Sequence, residues 1–278
     1  MRNWFTSNRR SLFAAGAATA AVLATTGSRP ASARPIDQVV QTKRLRIGVN
    51  PTLAPLARIN DRNQLEGFDI DIANEIGRIL GEGAQVEFVQ LGSPDRIPFV
   101  STGRVDLVMG AMTRTPARAL VIDYTVPIST QAMTVITIEG RGINALADLN
   151  QASTQFIMVR GTIGVPWIQA NAPQARVTLL DNYPDAMRAL AQGRGNAMVD
   201  VADGLRVQMS AQNVAWKVLP DVLASFYPCI GVQKGNFTLR DWTNVAIFDM
   251  HASGFINRTW EKWYGGPMTR PVPFTPYF

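Results

Sequence analysis

The stretch GRVDLVMGAMTRTPAR, residues 103–118, restricts the fold more than any other part of the chain. After Gly103 comes a short apolar run, Val105, Leu107, Val108 and Met109, which suits a strand covered on both faces of a parallel sheet. Gly110 ends that run. Thr115 followed by Pro116 reads as an N-cap and a first helical residue, so a helix is expected to open there with Arg118 in its first turn. A strand's carboxyl end, the Thr113 hydroxyl, the planar Arg118 fork and the N–H groups of a helix start then meet in one corner, which describes an anion site. The alternative is that Arg118 is a surface cation and Thr113 a turn former. A cation in a first helical turn opposes the helix dipole, which weighs slightly in favour of an anionic partner.

The N-terminus reads as an export signal rather than as structure. Asn8, Arg9, Arg10, Ser11, Leu12 and Phe13 precede an alanine-rich apolar run over 14–24, and Ala31, Ser32 and Ala33 form a small-residue cleavage pattern. A cleaved, twin-arginine-like signal over residues 1–33 is expected. An uncleaved anchor is the rival, but the run falls well short of the roughly 20 residues that a spanning helix needs. Later apolar runs are all interrupted by Arg, Asp or Gly.

Removing Arg2, Arg9, Arg10 and Arg29, with no acids among the first 33 residues, takes the formal charge of the chain from +6 to +2. A nearly balanced protein with no Lys/Arg run interleaved with aromatics gives no indication of nucleic-acid binding. The sole cysteine, Cys229, cannot form an internal disulfide and reads as a buried thiol in an apolar strand. The sole histidine, His251, falls on an amphipathic stretch and reads as a helix-packing residue. A zinc site or a Ser-His-Asp triad is therefore not expected, and neither is a cofactor.

About 245 mature residues allow two ordinary domains. Residues 45–49 read as a strand, 67–80 as a helix and 86–89 as a second strand. A short helix near 95–102 then leads back to the opening stretch. In the 67–80 helix Ile72, Ile76, Ile79 and Leu80 share one face, Asp71, Glu75 and Arg78 the other, and Gly81 is the stop. This alternation is the grammar of a parallel sheet with helices on its faces. A long extended run over 131–138 changes lobe, and a second α/β set follows: strands at 156–160, 177–180 and 197–199, a helix starting at Gly161 and Thr162, and another over 184–191. Extended runs at 214–219 and 229–234 precede two helices, where Trp242, Ile247, Phe248, Trp260 and Trp263 supply core. Each βα junction puts polar groups at a strand's carboxyl end, the usual place for ligands in open α/β sheets.

In this order and spacing, GFDIDIANEIG at 67–77, the 103–118 stretch with IDYTVP after it, RGT at 160–162, GRGNAMVD ending at Asp200 and EKWYGG near the C-terminus form one pattern. It resembles the bacterial periplasmic amino-acid-binding proteins, the solute-binding family 3 of ATP-binding-cassette importers, over essentially the whole mature chain. The resemblance implies an α/β, two-lobe periplasmic-binding-protein fold, each lobe a mainly parallel sheet with flanking helices, joined by two hinge strands. Lobe one would be 34–130 plus 226–278, and lobe two 131–225. It implies a monomer in the periplasm that binds a free amino acid by closing like a clamp and passes it to the importer's membrane permease.

By the same resemblance the ligand's α-carboxylate would meet Arg118, Thr113 and the backbone N–H at Thr162, beside Ile163. Its α-ammonium would meet Asp200 and the Gly110 carbonyl. Capping is the plainer role for Thr162 and for Asp200. Two places where family members stack aromatics on the ligand are occupied by Leu53 and Ser93, which puts an aromatic sandwich in doubt. Asn50 stands where binders of cationic amino acids carry an aspartate. Arg96 resembles an arginine that binders of acidic amino acids use, although an exposed helix-start arginine is the alternative. The expected ligand is thus glutamate or aspartate, with a small polar or aliphatic amino acid as runner-up. Some relatives with this fold, such as cyclohexadienyl dehydratases, are enzymes. An ammonium partner keeping Asp200 ionised would suit binding better than proton donation.

Overall fold

The computed structural model describes residues 34–272. The expected signal over 1–33, and residues 273–278 at the end of the expected first lobe, lie outside that range. The first half of the chain runs α1 (Ile36–Thr42), β1 (Arg44–Val49), β2 (Arg58–Ile59), β3 (Leu65–Glu66), α2 (Phe68–Leu80), β4 (Gln85–Gln90), α3 (Arg96–Ser101), β5 (Leu107–Thr113), α4 (Pro116–Ala119) and β6 (Ile122–Pro127). It continues with β7 (Gln131–Ile138), β8 (Gln155–Val159), α5 (Gly164–Asn171), β9 (Arg176–Leu180), α6 (Tyr183–Ala191), β10 (Met198–Asp200) and α7 (Ala202–Ser210). The last elements are β11 (Trp216–Val218), β12 (Ala224–Phe226), β13 (Pro228–Gln233), α8 (Phe237–Ala252) and α9 (Phe255–Tyr264).

One five-stranded sheet has the order β4-β1-β5-β13-β6, so a late strand, β13, sits between two early ones. β1 pairs in parallel with both β4 and β5, as the strand–helix–strand pattern predicts. Helix α2 covers this sheet. It buries Phe68, Ile70, Ile72, Ala73 and Ile76 while Glu75 and Arg78 pair with each other at 2.7 Å on the outside. The helix starts abruptly because Gly67, at φ +140°, lies where any Cβ would come within 2.3 Å of the Leu56 carbonyl oxygen.

The second group of strands is centred on β7, which pairs antiparallel with β10, β11 and β12, while β8 and β9 pair in parallel. Parallel and antiparallel pairs are therefore both present in each group of strands, where mainly parallel sheets were expected. Apart from the small β2–β3 hairpin, every antiparallel ladder involves β7 or β13. These are the two strands that follow the crossings between lobes. The crossings run side by side, and the Ile128 N–H donates to the Pro228 carbonyl at 2.8 Å. Two connecting segments held together in this way make the hinge of a two-lobe α/β molecule.

Other packing residues behave as their spacing predicts. Ile247 and Trp260 are buried, with Trp242 and Trp263 packed against the same core. Cys229 is buried and its thiol is pushed up to about 12 by desolvation. His251 on α8 lies 3.0 Å from the Pro127 carbonyl oxygen through Nε2. Among the described residues no helix is long and apolar enough to cross a membrane.

Candidate functional site

The expected corner forms at the carboxyl end of β5, with one change. The strand does not stop at Gly110 but runs on to Thr113 through a kink, with Gly110 at φ +95° and Ala111 at φ +55°. Glycine takes such a conformation freely, whereas alanine is strained in it. The kinked peptide is held from both sides. Its N–H donates to Asp69 Oδ2 at 2.8 Å, and its carbonyl accepts from Arg96 Nη1. Asp69 is 1% exposed, and burial pushes its carboxyl up to about 7 against the opposing pull of the Gly110 N–H and of Arg96.

Thr115 caps α4 as its position predicts, its hydroxyl accepting from the Arg118 N–H at 3.2 Å. The helix ends at Ala119, a single turn, so it adds little dipole to the anion site. The guanidinium carries the charge. Arg118 Nη1 donates to the Thr113 carbonyl at 3.1 Å, and Nη2 reaches across to the Gly161 carbonyl at 2.7 Å.

Arg96, where an exposed helix-start arginine was the alternative, is 4% exposed. Nε donates to the Ser93 carbonyl at 3.1 Å, Nη1 to Gly110 and Nη2 to Gly161 at 3.4 Å. Burial lowers its pKa, and among the described residues it forms no ion pair. The neighbouring carboxylates, Asp69 and Asp200, interact with it only through space. Asn50 is buried beside it, donating through Nδ2 to Ser93 Oγ at 3.1 Å and accepting from the Thr52 N–H and hydroxyl. Leu53 turns inward into the core with Leu56 and Ala57.

On the second lobe the helix following β8 starts at Gly164, two residues later than Thr162. The Thr162 N–H and hydroxyl both donate to the Val159 carbonyl, at 3.3 and 2.8 Å, so this turn is closed by Thr162 itself. Ile163 is the residue before the helix and packs on the core. Asp200, at the end of β10, accepts from the Val201 N–H through Oδ1 at 2.8 Å and from the Tyr183 hydroxyl through Oδ2 at 3.2 Å. Burial raises its pKa to about 6, with these two bonds and the field of Arg96 pulling the other way.

The structure thus draws Gly110, Arg96, Arg118, Ser93, Asn50, Asp200 and the turn at Gly161 and Thr162 towards one cleft, and leaves Leu53 and Ile163 packed on hydrophobic core. Gly161 permits the approach of the lobes: at φ +77°, its backbone lies so near that an added Cβ would stand 3.0 Å from the Ser93 carbonyl oxygen. Gln208 Nε2 bonds the Thr52 carbonyl at 3.1 Å on the same seam. Three contributors were not singled out from the sequence. Gly161 reads as part of a helix start and Asp69 as an acid near a helix N-terminus. Tyr183 precedes the helix expected to begin at Pro184; it opens α6, is 4% exposed and bonds Asp200 through its phenol.

The cleft thus offers two guanidiniums and an acid from opposite lobes, together with backbone carbonyls. That set can hold a small zwitterion, and among the described residues no group of three or more His, Cys, Asp or Glu could hold a metal.

Comparison with known proteins agrees with the two-lobe fold. Residues 45–266 match the family described as bacterial extracellular solute-binding proteins, family 3. The chain is 27% identical over 201 residues to an ABC transporter glutamine-binding protein of Bacillus subtilis, covering 72% of this chain and 73% of that one. Among solved structures it is similar to an ancestral amino acid-binding protein described as a precursor of cyclohexadienyl dehydratase. The TM-score is 0.75 and the identity 27%, covering 82% of this chain and 99% of the other. It is also similar to the solute receptor for L-cysteine of Neisseria gonorrhoeae, with TM-score 0.76 and 25% identity, covering 83% and 93%.

Proposed function

The chain belongs to the bacterial extracellular solute-binding proteins, family 3, an amino-acid-binding component of ATP-binding-cassette importers, and we propose that the amino acid it carries is acidic. The carrying observation is Arg96. A buried guanidinium that forms no ion pair among the described residues is costly, and a side-chain carboxylate on the ligand would add a direct partner to the through-space field of Asp200. Asn50 adds weight, because it offers a ligand cation no opposite charge.

In this reading Arg118 and Thr113 receive the α-carboxylate, with the Thr162 turn opposite. Asp200 receives the α-ammonium, with the Gly110 carbonyl, already bonded to Arg96, in a supporting place. Lobe one is 34–130 with 226–278 and lobe two is 131–225, so each end of the zwitterion is held from both sides only on closure. Residues 1–33 direct the protein to the periplasm and are removed there. The permease partner follows from the family.

The relatives' names leave the side chain open, since glutamine and L-cysteine both occur among them. A thermal-shift screen of the twenty amino acids decides the matter. A ligand at a hundred times its dissociation constant adds about 2.7 kcal/mol of stability. L-glutamate or L-aspartate should give the largest shift, and a larger one from arginine or lysine would overturn the acidic reading.

A second reading, catalysis of the cyclohexadienyl dehydratase kind, has one observation in its favour: Asp200 titrates near 6, within the range of a general acid. That value still leaves it mostly ionised at neutral pH, which suits an ammonium partner. Turnover of prephenate or arogenate by the purified protein would reverse the choice.

A further inference from the structure

Asp200 does not stand alone in the cleft, and the group that holds it lies outside every motif in the chain. Tyr183 opens α6, immediately after the Asn182 cap, whose side chain accepts from the Asp185 N–H. This fixed helix start directs the phenol inward, where it donates to Asp200 Oδ2 while the Val201 N–H occupies Oδ1. Both carboxylate oxygens are thereby oriented. On the other side of the phenol lies the Ser93 hydroxyl of lobe one, which itself accepts from Asn50 Nδ2. Thr52, Asn50, Ser93, Tyr183 and Asp200 thus form a polar row from one lobe to the other, buried except at Thr52 and Asp200, which are partly buried. Asn50 and Ser93, two of the three departures noted in the sequence, belong to this row. Ser93 meets a tyrosine from the opposite lobe, and Asn50 stands behind it.

We infer that Tyr183 is a positioning residue for amino-acid binding: its hydroxyl fixes the Asp200 carboxylate that receives the ligand's α-ammonium and couples that carboxylate to Ser93 as the lobes meet. The inference rests on the assignment of Asp200 to the ammonium. A hydrogen bond to a carboxylate contributes more than a neutral one, so its loss should cost about tenfold in affinity. A purely space-filling tyrosine would lose nothing on removal of the hydroxyl.

The test compares Tyr183→Phe, Asp200→Asn and the unaltered protein by calorimetry, with L-glutamate and its deaminated counterpart glutarate as probes. Tyr183→Phe should weaken L-glutamate about tenfold while leaving glutarate nearly unchanged, with a lower melting temperature but a folded protein. Equal affinities for L-glutamate in Tyr183→Phe and the unaltered protein would overturn the inference while Asp200→Asn still weakens L-glutamate more than glutarate. If Asp200→Asn weakens both probes equally or neither, the Asp200 assignment itself falls.

A second readout needs no ligand. The groups acting on the Asp200 carboxyl are the Tyr183 hydroxyl, the Val201 N–H and the Arg96 guanidinium, and the first of these lowers its pKa. The Asp200 titration followed by carboxyl NMR should move to higher pH in Tyr183→Phe. An unmoved midpoint would overturn the inference whatever amino acid the protein carries.

Discussion

Asp69 occupies the first turn of α2, where a carboxylate ordinarily faces water and the positive end of the helix. It is buried instead, because the tight approach of Gly67 to Leu56 draws the helix start under the β5 kink, and its partner is a backbone N–H. Burial raises its folded-state pKa from 3.8 to about 7. An acid raised in this way contributes most to stability below its unfolded value, and the contribution is lost as pH rises through about 7. Asp69→Asn keeps an oxygen for the Gly110 N–H and removes the charge. Its melting temperature relative to the unaltered protein should therefore improve between about pH 5 and about pH 8, and a flat difference would contradict the assignment. Arg96→Ala should weaken acidic amino acids more than glutamine in calorimetry. Equal weakening of all would show that its three bonds to backbone carbonyls are its whole role. The Thr115 cap and the helix turn that carries Arg118 were legible in sequence because an apolar run, a threonine cap and a proline leave few local geometries. Asp69 and Tyr183 were not, since a first-turn acid and an aromatic beside a helix cap look the same whether they face solvent or a cleft.

At the level of elements, apolar patterning and glycine stops located α2, the parallel β1 pairings and the late α8 and α9. Backbone continuity was less visible. Gly110 reads as a strand end, yet the ladder to β13 carries β5 through the kink to Thr113, where Thr113 pairs with Pro228. The start of α5 moves to Gly164 because only glycine fits there: an added Cβ would come within 2.3 Å of the Val199 carbonyl oxygen, one residue before Asp200. Gly164→Ala should destabilise by about 1–3 kcal/mol in chemical denaturation, the usual cost of overpacking against an element that cannot move freely. An unchanged midpoint would mean that α5 shifts without strain.

The N-terminal segment is tied down separately. Arg34 and Arg46 both pair with Asp106, whose side chain is 1% exposed. Asp106→Ala leaves two cations around a buried gap and should cost about 3–5 kcal/mol in the same experiment.

Across the whole molecule, two α/β lobes meet along a seam whose direct bonds run from Arg118 and Arg96 to Gly161 and from Gln208 to Thr52. The crossing segments lie side by side near Ile128 and Pro228, so a hinge there would move the cleft groups together. A two-lobe architecture was legible from the order of βα units and from the family pattern. The polar seam was not, because it depends on which backbone carbonyls turn into the cleft. If a zwitterion is gripped there, its two ends depend on residues from different lobes. Calorimetric titration of L-glutamate into the unaltered protein, Arg118→Ala and Asp200→Asn tests this most directly. Each variant should lose roughly 2–5 kcal/mol of binding free energy while remaining folded; glutamate binding that survives unchanged in both would contradict the account.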